Sequence, residues 1–313
     1  MDLDAIKEGI LKGSKIAVAR AITLAETDKS VALQLFKLLP KQNSKAFVIG
    51  ITGPPGVGKS TLIGRLAIEF SKRNFKVGII ANDPSSPFSG GAILGNRIRM
   101  SKEEYSGNIF IRSLTTKGAL GGISWVTEAV TKILETAGYS IIILETVGAG
   151  QTDIEISRLA DLVMVLVMPE LGDEIQALKA GILEIADLII LNKADLPNAQ
   201  QSYIKYRSTI PKEIPMFKIS ALNNEGITQL VDYIMQRIKE GNFNVSRKKE
   251  RIKDSLIKLT SLQLVYEIMK FLPETILTDF IDNILNRNIT LDDASQDLAK
   301  LIKEKYFYSA YIY

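Results

Sequence analysis

Gly53-Pro54-Pro55-Gly56-Val57-Gly58-Lys59-Ser60, with Thr61 following, has the spacing G-x-x-x-x-G-K-S. The chemistry this pattern suits is phosphate binding. Its glycines let the backbone turn amide N–H groups inward around phosphate oxygens, where side chains would obstruct them. A helix beginning near Lys59 would add the partial positive charge of its N-terminus to those donors. Lys59 can reach the β- and γ-phosphates, and the Ser60 hydroxyl can ligate magnesium. A glycine-rich turn with no ligand is the plain alternative.

The rest of the chain weighs against that alternative. In Ile141-Ile142-Ile143-Leu144-Glu145-Thr146-Val147-Gly148 an acid leaves the end of an apolar run. Open α/β sheets place their ligands at such carboxyl ends, so Glu145 is a candidate for the metal. Gly148 would let its N–H approach a γ-phosphate and leave the following loop free to move when that phosphate is lost. Asp83, in Ala81-Asn82-Asp83-Pro84-Ser85-Ser86-Pro87, also ends an apolar run. It reads either as a turn residue or as a second carboxylate near the magnesium or the attacking water.

A further apolar run, Leu188-Ile189-Ile190-Leu191, leads into Asn192-Lys193-Ala194-Asp195, the pattern N-K-x-D. The Asp195 carboxylate can accept both N1–H and the N2 amine of guanine, donors that adenine lacks. Leaving a buried acceptor unpaired costs about 1–3 kcal/mol, which favours GTP over ATP by about tenfold or better. Asn192 would tie the base loop to the phosphate loop, and the Lys193 stem can lie over the purine. Ser220-Ala221-Leu222 matches the loop that offers a backbone N–H to the guanine oxygen.

The elements that must position these residues alternate. Short β-branched runs (47–52, 77–81, 109–111, 141–144, 162–167, 188–191 and 216–219) are separated by amphipathic stretches. That alternation indicates βαβ units and a mostly parallel central sheet covered on both faces, an α/β P-loop NTPase fold. Residues 1–45 read as an N-terminal helical extension, with Ile10, Leu11, Ile16, Ala17, Ile22 and Leu24 near helical spacing. The GTPase domain is expected over 46–240. Residues 241–313 read as a C-terminal helical arm, with Pro273 near a helix boundary.

Composition excludes several chemistries. The 313 residues contain no cysteine and no histidine, so disulfides, thiolates, zinc-thiolate sites and histidine-based triads are absent. A hydrophobic share of 46% and a charged share of 24% are ordinary for a globular protein. The net charge of +4 is mild, and the short basic run at 247–253 fits a solvated helix start, so no nucleic-acid partner is expected. Early acids (Asp2, Asp4, Glu8) and the lack of a long apolar run imply neither a signal peptide nor a membrane span, and a cytoplasmic chain is expected.

Five stretches, at 53–61, 83–100, 111–114, 145–153 and 172–195, together resemble the GTPase chaperones of methylmalonyl-CoA mutase, a subgroup of the SIMIBI class of P-loop proteins. Such sequences were formerly called lysine/arginine/ornithine transport kinases. The resemblance implies GTP and GDP as ligands, Mg2+ as cofactor, and a homodimer built partly by the C-terminal helices. It implies docking on the cobalamin-dependent mutase, with GTP as a timer for adenosylcobalamin loading and for protection or rescue of that enzyme. It assigns Lys59, Ser60, Asp83 and Glu145 to phosphate and magnesium. It also makes residues 172–179 a mobile switch with Asp173, Glu174, Gln176 and Lys179 as polar members.

The chain departs from that family at two positions. Asn96 stands where relatives usually have an acid, so an amide would have to serve the metal or its water. Ala119 stands where relatives often have histidine. Hydrolysis is expected to rest on positioning and charge neutralisation rather than a strong base, because Gln151 lies three residues beyond Gly148 and is not adjacent to it. Turnover alone should be slow, with the partner completing the site through Lys179. The rival readings are a transport-system kinase, a metal-insertion GTPase (for which Cys/His ligands are missing), and a nucleotide-dependent structural partner with little hydrolysis. The aromatic end (Tyr306, Phe307, Tyr308, Tyr311, Tyr313) is expected to pack in an interface or on the core.

Overall fold

The computed structural model describes residues 2–40, 46–83, 107–115, 122–146, 159–169, 183–241, 249, 253, 256–257, 260–261, 263–269 and 272–304. The chain divides into two compact units, Met1–Lys248 and Lys249–Tyr313.

In the first unit, β1 (Phe47–Thr52), β2 (Val77–Asp83), β3 (Ile109–Thr115), β4 (Ile141–Glu145), β5 (Leu162–Val167), β6 (Leu188–Leu191) and β7 (Met216–Lys218) form one sheet. Its order is β3-β2-β4-β1-β5-β6-β7, and every pairing is parallel. Strands so rich in isoleucine and valine need both faces covered. One face packs on α4 (Lys59–Lys72) and α7 (Ile227–Glu240), burying Ile49, Ile51, Ile143 and Ile190 with Leu66, Phe70 and Leu230. The opposite face buries Val48, Ile142, Leu144 and Ile189 with α5 (Gly122–Thr136), α6 (Ala199–Thr209) and the N-terminal helices.

Those helices are α1 (Leu3–Leu11), α2 (Lys15–Thr27) and α3 (Lys29–Leu38). Each has a side-chain cap: Asp2 accepts from Asp4 N and Ala5 N, Ser14 from Ala17 N, and Asp28 from Ser30 N and Val31 N. Ile10 and Ile22 enter the core, whereas Leu11 and Ile16 are exposed, on the outward sides of their helices. The helix α2 also serves the edge strand β3: Lys15 Nζ donates to Ile109 O at 2.9 Å, and Arg112 pairs with Glu26 and Thr23. The strands β2 and β3 run further than their apolar runs predict, to Asp83 and Thr115, because they pair with each other in register along seven residues each.

Register near the site is set at the opposite strand ends by two aspartates used alike. Asp161 accepts from Val48 N at 3.0 Å while its own N–H donates to Val48 O at 2.7 Å. Asp187 repeats this with Val163, at 2.9 and 3.0 Å. The strands β1, β5 and β6, which lead toward the phosphate and base motifs, are thereby locked side by side.

The second unit contains α8 (Glu274–Leu285), preceded by Pro273, and α9 (Leu291–Ile302), capped by a reciprocal Thr290–Asp293 box. Ile281, Leu285 and Leu291 on these helices are exposed. Among the described residues no helix is long and apolar enough to cross a membrane.

Candidate functional site

The central strand β1 ends at Thr52 between β4 and β5, and the chain turns there into the glycine loop. Gly53 has φ 142°, and a Cβ on it would stand 2.4 Å from the Leu166 carbonyl oxygen of β5. The backbone can make this approach only without a side chain. Pro54 is half-buried, and Pro55 and Gly56 form the exposed tip. Gly58, at φ 96°, ends the loop as the N-cap of α4, and a Cβ there would meet Asn192 Nδ2 at 2.4 Å. The helix begins at Lys59, so its first free N–H groups face the loop. Lys59 is buried, and its Nζ donates to Gly53 O at 2.7 Å and to Pro54 O at 3.0 Å.

The neighbouring strand β4 brings Glu145 to this helix start. Thr146 Oγ1 donates to Thr52 Oγ1 at 2.9 Å, and Thr146 N donates to Ile51 O at 3.1 Å, so the ends of β1 and β4 are pinned together in the interior. Ser60 Oγ then donates to Glu145 Oε1 at 2.8 Å. This hydroxyl and carboxylate form an all-oxygen donor set next to a helix N-terminus. Such a set suits Mg2+, which binds through one or two carboxylates and otherwise keeps waters and substrate phosphate oxygens.

The base motif follows β6. Asn192 is buried at 2% exposure, and its side chain faces two ways. Its Nδ2 donates to Val57 O in the glycine loop at 2.8 Å, and its Oδ1 accepts from Ala221 N at 3.0 Å. Lys193 takes a left-handed backbone, φ 58°, and its Nζ lies 3.3 Å from Met168 Sδ. A lysine in that conformation is uncommon and belongs to the sharp turn between Asn192 and Asp195. Asp195 is solvent-facing, with one carboxylate oxygen accepting from Ser220 Oγ. Ser220 and Glu225 exchange backbone bonds at 3.1 and 3.0 Å, which closes the Ser220–Glu225 loop.

These parts line one cleft of about 400 Å3. Gly56, Gly58, Lys59, Ser60, Thr61 and Glu145 supply its phosphate-motif side. Asn192, Lys193, Asp195, Ala221 and Leu222 supply the other. Its volume is that of a small-molecule site. Of the remaining residues singled out in the sequence, Asp83 closes β2 opposite Thr115, and only its backbone is described. Asn96, Ala119, Gly148, Gln151, Lys179, the 172–179 stretch and the aromatic end lie outside the described residues.

Sequence reasoning missed three contributors. The Thr52–Thr146 pin joins residues from different strands, and Met168 reaches Lys193 from the end of β5. Arg65, inside α4, donates from Nε to Ala221 O and from Nη2 to Leu222 O, both at 3.2 Å. No local pattern marks any of these. The only signal was the polar character of Arg65 one turn beyond Thr61, which an exposed helix face shares.

The family model described as "Methylmalonyl Co-A mutase-associated GTPase MeaB" matches residues 18–271. A candidate GTPase of Pyrococcus abyssi is 38% identical over 273 residues, covering 83% of this chain and 84% of that protein. The mitochondrial methylmalonic aciduria type A homolog of Mus musculus is 34% identical over 258 residues, covering 74% of this chain and 61% of that protein. Among solved structures, a protein titled as an LAO/AO transport system kinase superposes with a TM-score of 0.66 at 22% identity, covering 96% of this chain and 97% of that one, a likeness of fold. The family match over most of the chain, on an all-parallel P-loop fold, makes this protein a member of the MeaB family of methylmalonyl-CoA mutase-associated GTPases.

Proposed function

We propose that this chain is a GTP-hydrolysing chaperone of the cobalamin-dependent methylmalonyl-CoA mutase, acting in adenosylcobalamin loading and in protection or reactivation of that enzyme. The observation that carries the GTP half is the single cleft between Ser60 and Asp195, in which phosphate and guanine motifs face one nucleotide-sized space. The chaperone half rests on the family.

In this reading the loop amides at 53–58 and the α4 N-terminus hold the phosphates, with Lys59 neutralising the β- and γ-oxygens. Ser60 and Glu145 would hold Mg2+, with Asp83 and Asn96 completing the set. When bound, the ion neutralises charge developing on the phosphate oxygens. Glu145 is oriented for this by the Thr52–Thr146 pin. Asp195 receives the guanine N1–H and N2 amine while Ser220 holds its other side. Gly148 and residues 172–179 would respond to the γ-phosphate and to the mutase.

Three parts are assigned: an N-terminal helical extension (1–45), the GTPase domain (46–240) and a C-terminal dimerisation arm (241–313). The exposed Ile281, Leu285 and Leu291 support a homodimer role for the arm. Phosphate release from GTP, with ATP as control, with and without the cognate mutase, tests the proposal. Slow GTP-selective release that accelerates with the mutase is expected. GTP binding without release in either condition would favour a nucleotide-dependent structural partner instead, with Asn96 as the reason.

A further inference from the structure

Arg65 and the loop at 220–225 raise a question of specificity that the nucleotide motifs do not answer. Arg65 sits on α4 one turn beyond Thr61, so the two share a helix face, and Thr61 lines the cleft. Its guanidinium holds two consecutive carbonyls of the base loop, Ala221 O and Leu222 O. The planar fork of an arginine suits such a pair, which a lysine ammonium would not hold in one geometry.

The described chain contains no cis peptide bonds, so the C=O of Ala221 and the N–H of Leu222 point in opposite directions across one plane. Drawing Ala221 O toward Arg65 sends the Leu222 N–H the other way. By the same rule Leu222 O on Arg65 sends the Asn223 N–H away, and that N–H is taken by Ser220 Oγ at 3.2 Å. The Ala221 N–H is already given to Asn192 Oδ1. Among the described residues the Leu222 N–H donates to no protein acceptor, and Leu222 lines the base side of the cleft.

We propose that Arg65 is a positioning residue for nucleobase selectivity: it clamps the base loop to the phosphate-binding helix so that the Leu222 N–H meets a purine 6-carbonyl. The inference rests on the GTP reading of the cleft. It shifts the oxygen-reading donor from Ala221, whose N–H is occupied by Asn192, to Leu222. It also makes phosphate and base recognition share one rigid element, because α4 carries both Ser60 and Arg65.

The test titrates the full-length protein and its Arg65→Ala and Arg65→Lys variants with GDP, IDP and ADP by calorimetry, alongside thermal unfolding. GDP and IDP both carry the 6-carbonyl, and IDP lacks only the 2-amine that Asp195 reads. Arg65→Ala should weaken GDP and IDP alike by about tenfold, the scale of one ligand hydrogen bond, and leave ADP unchanged. The GDP/IDP ratio should stay at its wild-type value, and Arg65→Lys should fall between. Equal weakening of all three nucleotides would overturn the proposal in favour of a purely structural arginine, as would unchanged GDP binding. A wild-type protein that binds ADP as well as GDP would instead overturn the GTP reading itself, before any variant is compared.

Discussion

Asn192 and Val57, 135 residues apart, are joined by a 2.8 Å hydrogen bond from the Asn192 side-chain amide to the Val57 carbonyl. Because the same side chain accepts from Ala221 N, a single buried amide connects the phosphate loop to both base-reading segments. The protein itself thus ties the two ends of the cleft to each other.

Replacing Asn192 with alanine should leave Val57 O and Ala221 N unpaired in a buried place. A stability loss of about 1–3 kcal/mol is expected in urea denaturation. Affinity for GDP should fall by more than that loss explains, because both halves of the cleft become free to shift. Unchanged GDP affinity would show that the connection is not needed.

Gly53 and Gly56 both have left-handed or nearby φ values, 142° and 76°, yet alanine should act differently at each. At Gly53 the new Cβ meets the Leu166 backbone at 2.4 Å, and at Gly56 nothing lies within 4 Å. Gly56→Ala should cost about 1 kcal/mol of backbone strain. Gly53→Ala should cost at least about 2 kcal/mol and displace the loop from β5. Equal unfolding free energies for the two variants would contradict this packing.

Glu145→Gln keeps an oxygen able to accept from Ser60 Oγ while removing the charge. Folding should survive. GTP turnover should fall by about a hundredfold, the scale for losing one preorganised electrostatic group, and the Mg2+ concentration needed for half-maximal rate should rise. Chelation of divalent ions should abolish turnover in the parent. A variant with unchanged Mg2+ dependence would remove Glu145 from the metal.

Lys179→Ala is expected to leave basal hydrolysis as it is and to reduce the stimulation by the mutase. The readout is the ratio of phosphate release with and without that enzyme. An unchanged stimulated rate would rule out Lys179 as the partner-dependent group.

Asp28 caps α3, and the N–H of Val31, followed by Ser30, holds its carboxyl below the ordinary aspartate value. An acid whose folded pKa lies below its unfolded pKa adds stability above the unfolded value and loses it as pH falls through the folded one. Stability measured in urea should therefore drop below about pH 4, near the unfolded aspartate pKa. Asp28→Ala should make that acid limb shallower and lower the plateau above it. A limb of the same slope would place the acid sensitivity elsewhere.

Much of this protein is legible without coordinates, for reasons that are local. The glycine loop needs its residue types consecutively, because one turn of backbone and one helix start do the binding. The same holds for Asn192-Lys193-Ala194-Asp195. Strands such as Leu162–Val167 are readable because a parallel strand buried on both faces must be apolar throughout. Even the tie between the base and phosphate loops is foreseeable from the motif asparagine.

What only the tertiary structure decided are relationships between residues far apart in the chain. The sequence assigns Ser60 and Glu145 to one metal, but their direct hydrogen bond exists because β4 lies beside β1, an order that no local pattern encodes. Polar residues on helices give no sign of their partners: the contact of Arg65 with the Ser220–Glu225 loop exists only once the fold sets that loop against α4. Likewise Ile10 and Leu11 are equally apolar and adjacent, yet one is buried and the other exposed. The physical reason is that periodicity records which side of an element is apolar, whereas the neighbour it faces is chosen by the packing of the whole sheet.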